Sequence, residues 1–194
     1  YTNFAKHNMA KFLTVLIIFF TIGVESVLGQ TFTRISAASD LSDGDEIIFV
    51  GLIKSSDVYH VAADPNYASG TTYLKTIIVD APTDNVITIT GEKIDVFAVE
   101  ASGTFFKFKS AEQGKYLGYK GDGNYITYDA GEDVIDEWSI AAGADNAMTI
   151  TLNGQDTAGN DSFFQWNANN TRFTAYKSSS KQADAMIFRK VVTE

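Results

Sequence analysis

From Glu46 onwards, the chain alternates short apolar runs with polar breaks that contain glycine, asparagine and aspartate. Short runs rich in β-branched and aromatic residues, bounded by such breaks, are typical of β-strands. Thirteen runs fit this description: 46–50, 58–62, 74–80, 86–90, 95–100, 104–110, 115–119, 124–129, 137–141, 147–152, 162–167, 172–176 and 185–190. The pattern predicts an all-β domain with almost no helix.

Strict alternation within one run indicates which side chains face the interior. In Phe106-Lys107-Phe108-Lys109 the aromatic rings fall on one face of a strand and the lysines on the other, because successive side chains of a strand point to opposite faces. The segments 121–124 (GDGN) and 168–171 (ANNT) carry turn-forming residues. We therefore expect each of them to be a loop tip between two antiparallel strands.

A similar phrase occurs three times along the chain, at 95–99 (DVFAV), 136–140 (DEWSI) and 184–188 (DAMIF). Two large apolar positions recur in it, first Phe97, Trp138 and Met186, then Val99, Ile140 and Phe188. About four strands per block, repeated three times, is the arithmetic of a β-trefoil-like pseudo-threefold barrel of about twelve short strands. A β-sandwich with Greek-key connections is the alternative, because strand count does not separate the two folds.

The second and third blocks also match upstream of this phrase. At a spacing of 48 residues the aromatic positions pair as Tyr116 with Phe164, Tyr125 with Phe173, and Tyr128 with Tyr176. Positions that recur in this way are expected to be core. At the same spacing Trp166 falls opposite Gly118, so the repeat does not require an indole there, and Trp166 becomes a candidate for contact with a ligand.

The N-terminal part has a different pattern. Residues 12–20 are apolar apart from Thr14 and follow Lys11; the run is too short for a membrane-spanning helix, which needs about 20 residues. Because Glu25 interrupts the apolar tract, a secretory signal peptide at 9–29 is favoured over a membrane anchor. On this interpretation, residues 1–8 are expected to be a mis-annotated segment upstream of the initiating methionine. We expect residues 30–194 to form one domain without a membrane span, secreted to the cell exterior or surface, with the periplasm as the alternative.

Charge limits the classes of partner that we expect, and cysteine content limits how the fold is stabilised. The whole chain has a net charge of −9; without residues 1–29, 13 basic and 23 acidic side chains remain, a net charge of −10. Such a surface repels phosphate backbones, so nucleic acid is not an expected partner. The chain contains no cysteine, so an exported domain of this sequence must be stabilised by packing alone.

Several phrases together resemble a module carried by secreted proteins of the Bacteroidota. They are 44–51 (GDEIIFVG), 58–80, 114–119 (GKYLGY), 138–140 (WSI) and 165–190. The chain departs from that module at Trp166-Asn167, where Tyr-Asn is common, and at Phe188-Arg189-Lys190, where Leu-Tyr-Lys is common. The resemblance implies an extracellular compartment and an accessory role beside other domains, and it carries no established functional residues.

Catalytic chemistry is not expected. His60 is the only histidine after residue 29, and no sequence motif supplies the nucleophile and orienting carboxylate that a general base requires. Nucleophile-elbow, zinc-protease and phosphate-loop motifs are absent from the sequence, so we predict a protein that is not an enzyme and needs no cofactor.

Acidic residues are concentrated in the second block. A glycosidase pair requires two carboxyl groups about 5–10 Å apart in a groove, and Ca²⁺ requires 6–8 oxygen ligands. A turn-rich, solvated acidic loop is the favoured interpretation over a glycosidase pair. Neither acidic stretch matches the spaced EF-hand loop, so no metal site is predicted. The acidic residues considered are Asp122, Asp129, Glu132, Asp133, Asp136 and Glu137, with Asp40, Asp43, Asp45 and Glu46 as a second group.

These observations favour a secreted, non-catalytic binding or adjunct module whose partner is a glycan or another cell-surface ligand. Sugar sites pair an aromatic side chain with Asp or Asn hydrogen-bonding groups. The candidate ligand-binding residues are Trp166 and Asn167, with Tyr119, Asp122 and Asn124 in the corresponding hairpin. The alternative is a structural or protein-interaction domain cut from a larger secreted protein, in which every aromatic residue is core.

Overall fold

The computed structural model describes residues 29–66, 72–121, 123–129, 131–156 and 158–192, and the side chains of 64–66 are not described. The upstream segment and nearly all of the expected signal peptide lie outside these ranges, as does Asp122. Nowhere in the described ranges is there a helix with the length and apolar character needed to cross a bilayer.

The described chain is built almost entirely from β-strands, as the hydrophobic pattern predicts. Three single 3-10 turns interrupt them, at Ala38–Asp40, Ala144–Asn146 and Ser178–Ser180. The strands are β1 (Gln30–Arg34), β2 (Glu46–Ile53), β3 (Val58–Asn66), β4 (Tyr73–Val79), β5 (Val86–Ile89), β6 (Phe97–Ser102), β7 (Phe105–Ser110), β8 (Trp138–Ala142), β9 (Met148–Gln155), β10 (Asp161–Asn167), β11 (Arg172–Lys177), β12 (Ala183–Asp184) and β13 (Met186–Lys190).

Most predicted runs correspond to these strands, with four differences. Strands β1 and β12 were not predicted, because one is polar and the other has two residues. The predicted runs at 115–119 and 124–129 form only isolated bridges, among them Gly118 with Thr127. The turn at 168–171 lies between β10 and β11, where it was expected.

All thirteen strands belong to one antiparallel sheet, so the alternative of two stacked sheets is not what the structure contains. The sheet closes on itself as a ring of nine strands, β2-β3-β4-β11-β10-β9-β8-β7-β6, and β13, β1 and β5 extend from β2. A smaller circuit also closes. It runs β2-β6-β7-β8-β9, crosses the bridge between Met148 and Ala185, and returns through β13 to β2.

Hairpins extend from this smaller circuit. Strands β3 and β4 form one, β10 and β11 form another, and the bridge between Gly118 and Thr127 joins the two arms of the segment between β7 and β8. The hairpins contact each other through the pairs Phe173 with Leu74 and Ile126 with Thr72.

Two hydrophobic clusters lie on opposite faces of β2. Ile47 and Phe49 belong to the larger cluster, whereas Ile48 and Val50 belong to the smaller one beneath β1 and β5. A strand buried on both faces reads as a continuous apolar run, which explains the sequence of β2. Phe49 is central to the larger cluster, with three other phenylalanine rings between 4.7 and 5.3 Å from its own.

The recurring phrase predicts that Phe97, Trp138 and Met186 meet in one core around a common axis, and this is wrong for Met186. Phe97 and Trp138 lie in the larger cluster, but Met186 lies in the smaller one, together with Phe188. Ala185, which immediately precedes β13, and Ile187 within β13 belong to the larger cluster instead. Since β13, like β2, is buried on both faces, the apolar pattern gave no sign of which alternate set faces inward, and a shift of one residue exchanges the two faces.

The predicted spacing of 48 residues between the second and third blocks is also one residue too long. At 48, the fully buried Phe164 and Phe173 align with tyrosines that are only half-buried. At 47, they align with Leu117 and Ile126, which are fully buried as well. The same spacing places Trp166 opposite Tyr119 rather than Gly118. The inference that no large ring is needed at the Trp166 position is therefore wrong.

Candidate functional site

Trp166 lies in β10, with its indole almost completely enclosed. Its side chain is 1% exposed, and Nε1 donates a hydrogen bond to the Leu52 carbonyl at 3.2 Å. The His60 and Phe173 rings lie 5.1 and 5.0 Å from it, centroid to centroid, and Gly51 packs directly against the indole carbons. The indole is therefore part of the core, and it does not present an open stacking face.

Gly51 is required for this arrangement. A Cβ atom at this position would lie 2.2 Å from Cδ2 of Trp166 and 2.6 Å from Cε2. Separations this short do not occur between real non-bonded carbon atoms. Strand β2 thus has a glycine in its buried stretch because the indole lies on its backbone.

Asn167 follows Trp166 and shapes the adjoining turn. Its side chain is buried; Nδ2 donates to the Tyr176 hydroxyl at 2.9 Å, and Oδ1 accepts from the Asn170 amide at 3.0 Å. The second contact is an Asx-type cap of the loop between β10 and β11. Asn167 therefore has a structural role in this hairpin.

Tyr119 and Asn124 lie in the second hairpin. The Tyr119 ring is buried and stacks on Tyr125 at 6.0 Å. The exposed Asn124 accepts hydrogen bonds through Oδ1 from the Lys177 amide at 3.1 Å and from the Ser180 hydroxyl at 3.0 Å. Asn124 thus ties this hairpin to the end of β11. Asp122 lies outside the described residues.

The two predicted aromatic residues border two different surface pockets. The pocket at Trp166, which we call the tryptophan pocket, has a volume of about 250 Å³. Its lining is mainly apolar, and its mouth carries four charged side chains. The residues that form it are Leu52, Ala144, Ala147, Trp166, Ala183 and Met186, with Lys54, Asp145, Lys181, Gln182 and Asp184.

One wall of the tryptophan pocket is held by the buried amide of Gln165. Its Oε1 accepts from the Gln182 amide at 2.8 Å, and its Nε2 donates to the Gln182 carbonyl at 2.9 Å and to Asp184 at 3.1 Å. Asp184 also accepts from the Thr149 hydroxyl at 2.6 Å. Because these bonds fix both backbone and side chain, segment 182–184 is pre-organised beside the pocket.

The pocket at Tyr119, which we call the tyrosine pocket, has a volume of about 370 Å³ and a more polar lining. The residues that form it are Tyr119, Lys120, Gly121, Asp133, Ile135, Gln155 and Asp156. Asp156 caps its own loop by accepting from the backbone amides of Asn160 and Ala158 at 2.8 and 2.9 Å. These bonds, the Asn160 contacts first, hold the pKa of Asp156 below its ordinary value.

The two pockets occupy corresponding places in the second and third blocks. Tyr119 and Trp166 are 47 residues apart, and so are Ile135 and Gln182. Each pocket is also lined by a residue at or just beyond the end of a strand of the smaller circuit. Lys54 follows the paired residue Ile47 by seven positions, and Gln155 follows Met148 by seven.

His60 is buried and oriented by one hydroxyl. The Thr76 hydroxyl donates to the Thr171 carbonyl at 2.9 Å, so it accepts the proton of His60 Nδ1, which lies 3.0 Å away. Burial lowers the pKa of His60. The imidazole is thus neutral at physiological pH and packs against Trp166.

Asp95 is a buried carboxyl in the segment just before β6. The Ser110 hydroxyl donates its one proton to this carboxyl, with its Oγ 2.7 and 2.8 Å from the two carboxyl oxygens, and the Tyr128 hydroxyl donates a longer hydrogen bond at 3.5 Å. Burial raises its pKa to about 6. Asp95 does not line either of the two pockets described above, so we interpret it as an internal polar contact.

The acidic residues of the second block are distributed among separate contacts. Glu137 accepts from Ser102 and Asn153, and these hydrogen bonds lower its pKa. Asp136 pairs with Lys107 at 3.1 Å. Within the part of the chain that the structure describes, no group of three or more histidine or acidic side chains lies close enough together to hold a metal ion.

Sequence reasoning missed most of the tryptophan pocket. Leu52, Ala147 and Lys181 come from segments far apart in the chain, and none carries a motif. Gln165, a polar residue between the aromatic residues Phe164 and Trp166, was the one signal that could have indicated the organised wall. Comparison with known proteins adds no assignment: no family model, curated protein or solved structure matches the chain.

Proposed function

We propose that this protein is a secreted, non-catalytic binding module that recognises glycans through the tryptophan and tyrosine pockets. The observation that carries the proposal is the matched position of the two pockets. Each has apolar side chains in its lining, a buried aromatic ring behind them and polar side chains at its mouth, and a concave site with an apolar lining and a few polar groups suits a sugar ring. Core packing alone would not require a surface pocket at both places.

We further propose that the chain is arranged as a β-trefoil. Three pairs in the smaller circuit support this: Ile47 with Phe97, Phe106 with Trp138, and Met148 with Ala185. A hairpin follows one member of each pair along the chain: β3 and β4 follow Ile47, the segment with the bridge between Gly118 and Thr127 follows Phe106, and β10 and β11 follow Met148. The trefoil link to sugars is an argument from the fold, and it adds to the pocket geometry without replacing it.

Secretion and an adjunct role belong to the same proposal. They rest on the signal-like segment 9–29 and on the absence of cysteine, which suits a domain stabilised by packing. The enclosed environment of His60 and the scattered acidic contacts support a non-catalytic role.

A glycan-array screen tests the proposal, but Trp166→Ala is unsuitable as its probe because the indole is core. Blocking variants at exposed positions are better. Ala144→Phe places a ring at the tryptophan pocket, and Gln155→Phe does so at the tyrosine pocket. Ala98→Phe, on the exposed face of β6, is the matched control.

We expect the wild-type protein and Ala98→Phe to bind the same glycans, and at least one blocking variant to lose that binding. Binding that survives in both blocking variants would place the site elsewhere. Silence of the wild-type protein across all glycans would reject the proposal and favour a structural or protein-interaction domain.

A further inference from the structure

One cation at the mouth of the tryptophan pocket has no carboxylate partner among the residues that the structure describes. Lys54 forms an ion pair with Asp145 across the pocket. Lys181, in contrast, has its Nζ 4.7 Å from the centre of the Phe163 ring, and no described carboxylate lies within the 4.0 Å of an ion pair. In a chain with a net charge of −9, such a lysine is a local site for a negative group.

We propose that the tryptophan pocket binds a terminal sugar carrying one anionic group, a carboxylate or a sulfate, which pairs with Lys181. This inference rests on the proposed function and names its ligand class. The volume of about 250 Å³ lies below the ~300–1,000 Å³ of pockets for drug-sized ligands. One terminal unit therefore fits, whereas a longer stretch of chain would have to remain outside.

The other groups of the pocket suit the uncharged part of the sugar. Leu52, Ala147 and Met186 present an apolar surface for the C–H face of a pyranose ring. Each carboxylate oxygen of Asp184 accepts one internal hydrogen bond, and a carboxylate has about four acceptor positions in all. Asp184 can therefore also accept from sugar hydroxyls, and Gln165 holds it in place.

The charge arrangement orients the ligand. Asp184 lies on the pre-organised segment 182–184 as an acceptor, and Lys181 immediately precedes that segment as a cation. An anionic group beside Asp184 would be repelled, so it is directed toward Lys181, while the hydroxyls are directed toward Asp184. A neutral sugar would keep the hydrogen bonds to Asp184 and lose the ion pair with Lys181.

The test uses methyl glucuronide and methyl glucoside, which differ at one carbon: carboxylate against hydroxymethyl. Glucose 6-sulfate distinguishes a requirement for carboxylate from a requirement for any anion. Binding is followed by titration in ¹H–¹⁵N NMR spectra, because the chain has only two tryptophans. The indole N–H of Trp166 reports the pocket, and that of Trp138, bonded to the Leu117 carbonyl at 2.9 Å, is an internal control.

We expect the anionic sugar to shift the Trp166 indole signal and leave that of Trp138 in place. The neutral glucoside should bind about two- to fivefold more weakly, the range for one solvent-exposed ion pair, and added salt should reduce the difference. Lys181→Gln should remove the preference, whereas Lys75→Gln, an equal charge change at an exposed position of β4, should retain it.

Equal binding of the charged and neutral sugars, or a preference that persists in Lys181→Gln, would overturn the inference. Absence of any shift with all three sugars would do the same. The two proposals can fail separately. If the glycan array shows binding of neutral glycans only, and a blocking variant removes it, the module binds sugars but the anionic ligand class is wrong. If the array is also silent, both proposals are wrong.

Discussion

Replacing Gly51 with alanine is expected to destabilise the domain, because the added methyl group has no space. The new Cβ would lie 2.2 Å from Cδ2 of Trp166. The indole has little freedom to retreat, since its Nε1 is bonded to the Leu52 carbonyl and aromatic rings pack around it. Overpacking of a well-packed core costs about 1–3 kcal/mol, against which alanine recovers about 0.5–1 kcal/mol relative to glycine within a strand.

The free energy of unfolding should be measured by urea denaturation, with circular dichroism as the signal. At the upper end of that range the net loss is about 2 kcal/mol, which lowers the melting temperature by about 4–8 °C for a domain of this size. Gly131→Ala is the matched control, because nothing lies within 4 Å of its added Cβ. We expect this control to remain within about 0.5 kcal/mol of wild type.

A double-mutant cycle identifies the cause. In Gly51→Ala/Trp166→Leu the smaller side chain leaves space for the methyl group, so the double variant should be more stable than the sum of the single effects implies, by about 1 kcal/mol or more. If Gly51→Ala is as stable as Gly131→Ala, or if the two effects simply add, the packing of the indole on β2 is not as described.

Three further predictions concern the core and its buried polar groups. Phe49→Ala should cost about 3–5 kcal/mol in denaturant unfolding, because it removes a ring packed against three others; a loss below about 1 kcal/mol would contradict its central position. Since the pKa of Asp95 rises from 3.8 to about 6 on folding, its charged form opposes folding. Wild type should therefore lose up to about 3 kcal/mol relative to Asp95→Asn between pH 4 and pH 7.5, and parallel pH profiles of the two proteins would refute this. Gln165→Met should accelerate amide exchange at Gln182, whose N–H it leaves without its partner, and unchanged exchange would show that the wall does not depend on this amide.

The agreement between predicted and observed strands has a simple physical basis. In β6, Phe97 and Val99 are buried while Ala98 and Glu100 are exposed, so the period-two pattern was visible in the sequence. Strand β10 was also found by its apolar content, and its turn by its composition. These features depend only on neighbouring residues, and local pattern is sufficient to recognise them.

Register between distant blocks was predicted less well. The spacing of 48 aligned aromatic residues with aromatic residues by type, whereas burial aligns Leu117 with Phe164 and Tyr119 with Trp166 at 47. Side-chain type is an uncertain guide here because a core position accepts any apolar residue of suitable size. The error changed the interpretation of Trp166, which became a candidate for ligand contact although its indole lies in the core.

The pattern of apolar and polar residues was thus enough to establish an all-β chain and the places of most strands and turns. Composition alone showed that the chain is acidic and has no disulfides. It could not reveal which alternate residues of β2 and β13 face which cluster, because strands buried on both sides carry no alternation. Nor could it reveal the tryptophan pocket, whose walls come from the ends of β2, β10 and β12 and from the loop before β9. Closure of the sheet brings those segments together, and contacts between segments far apart in the chain leave no periodic signal in any one of them.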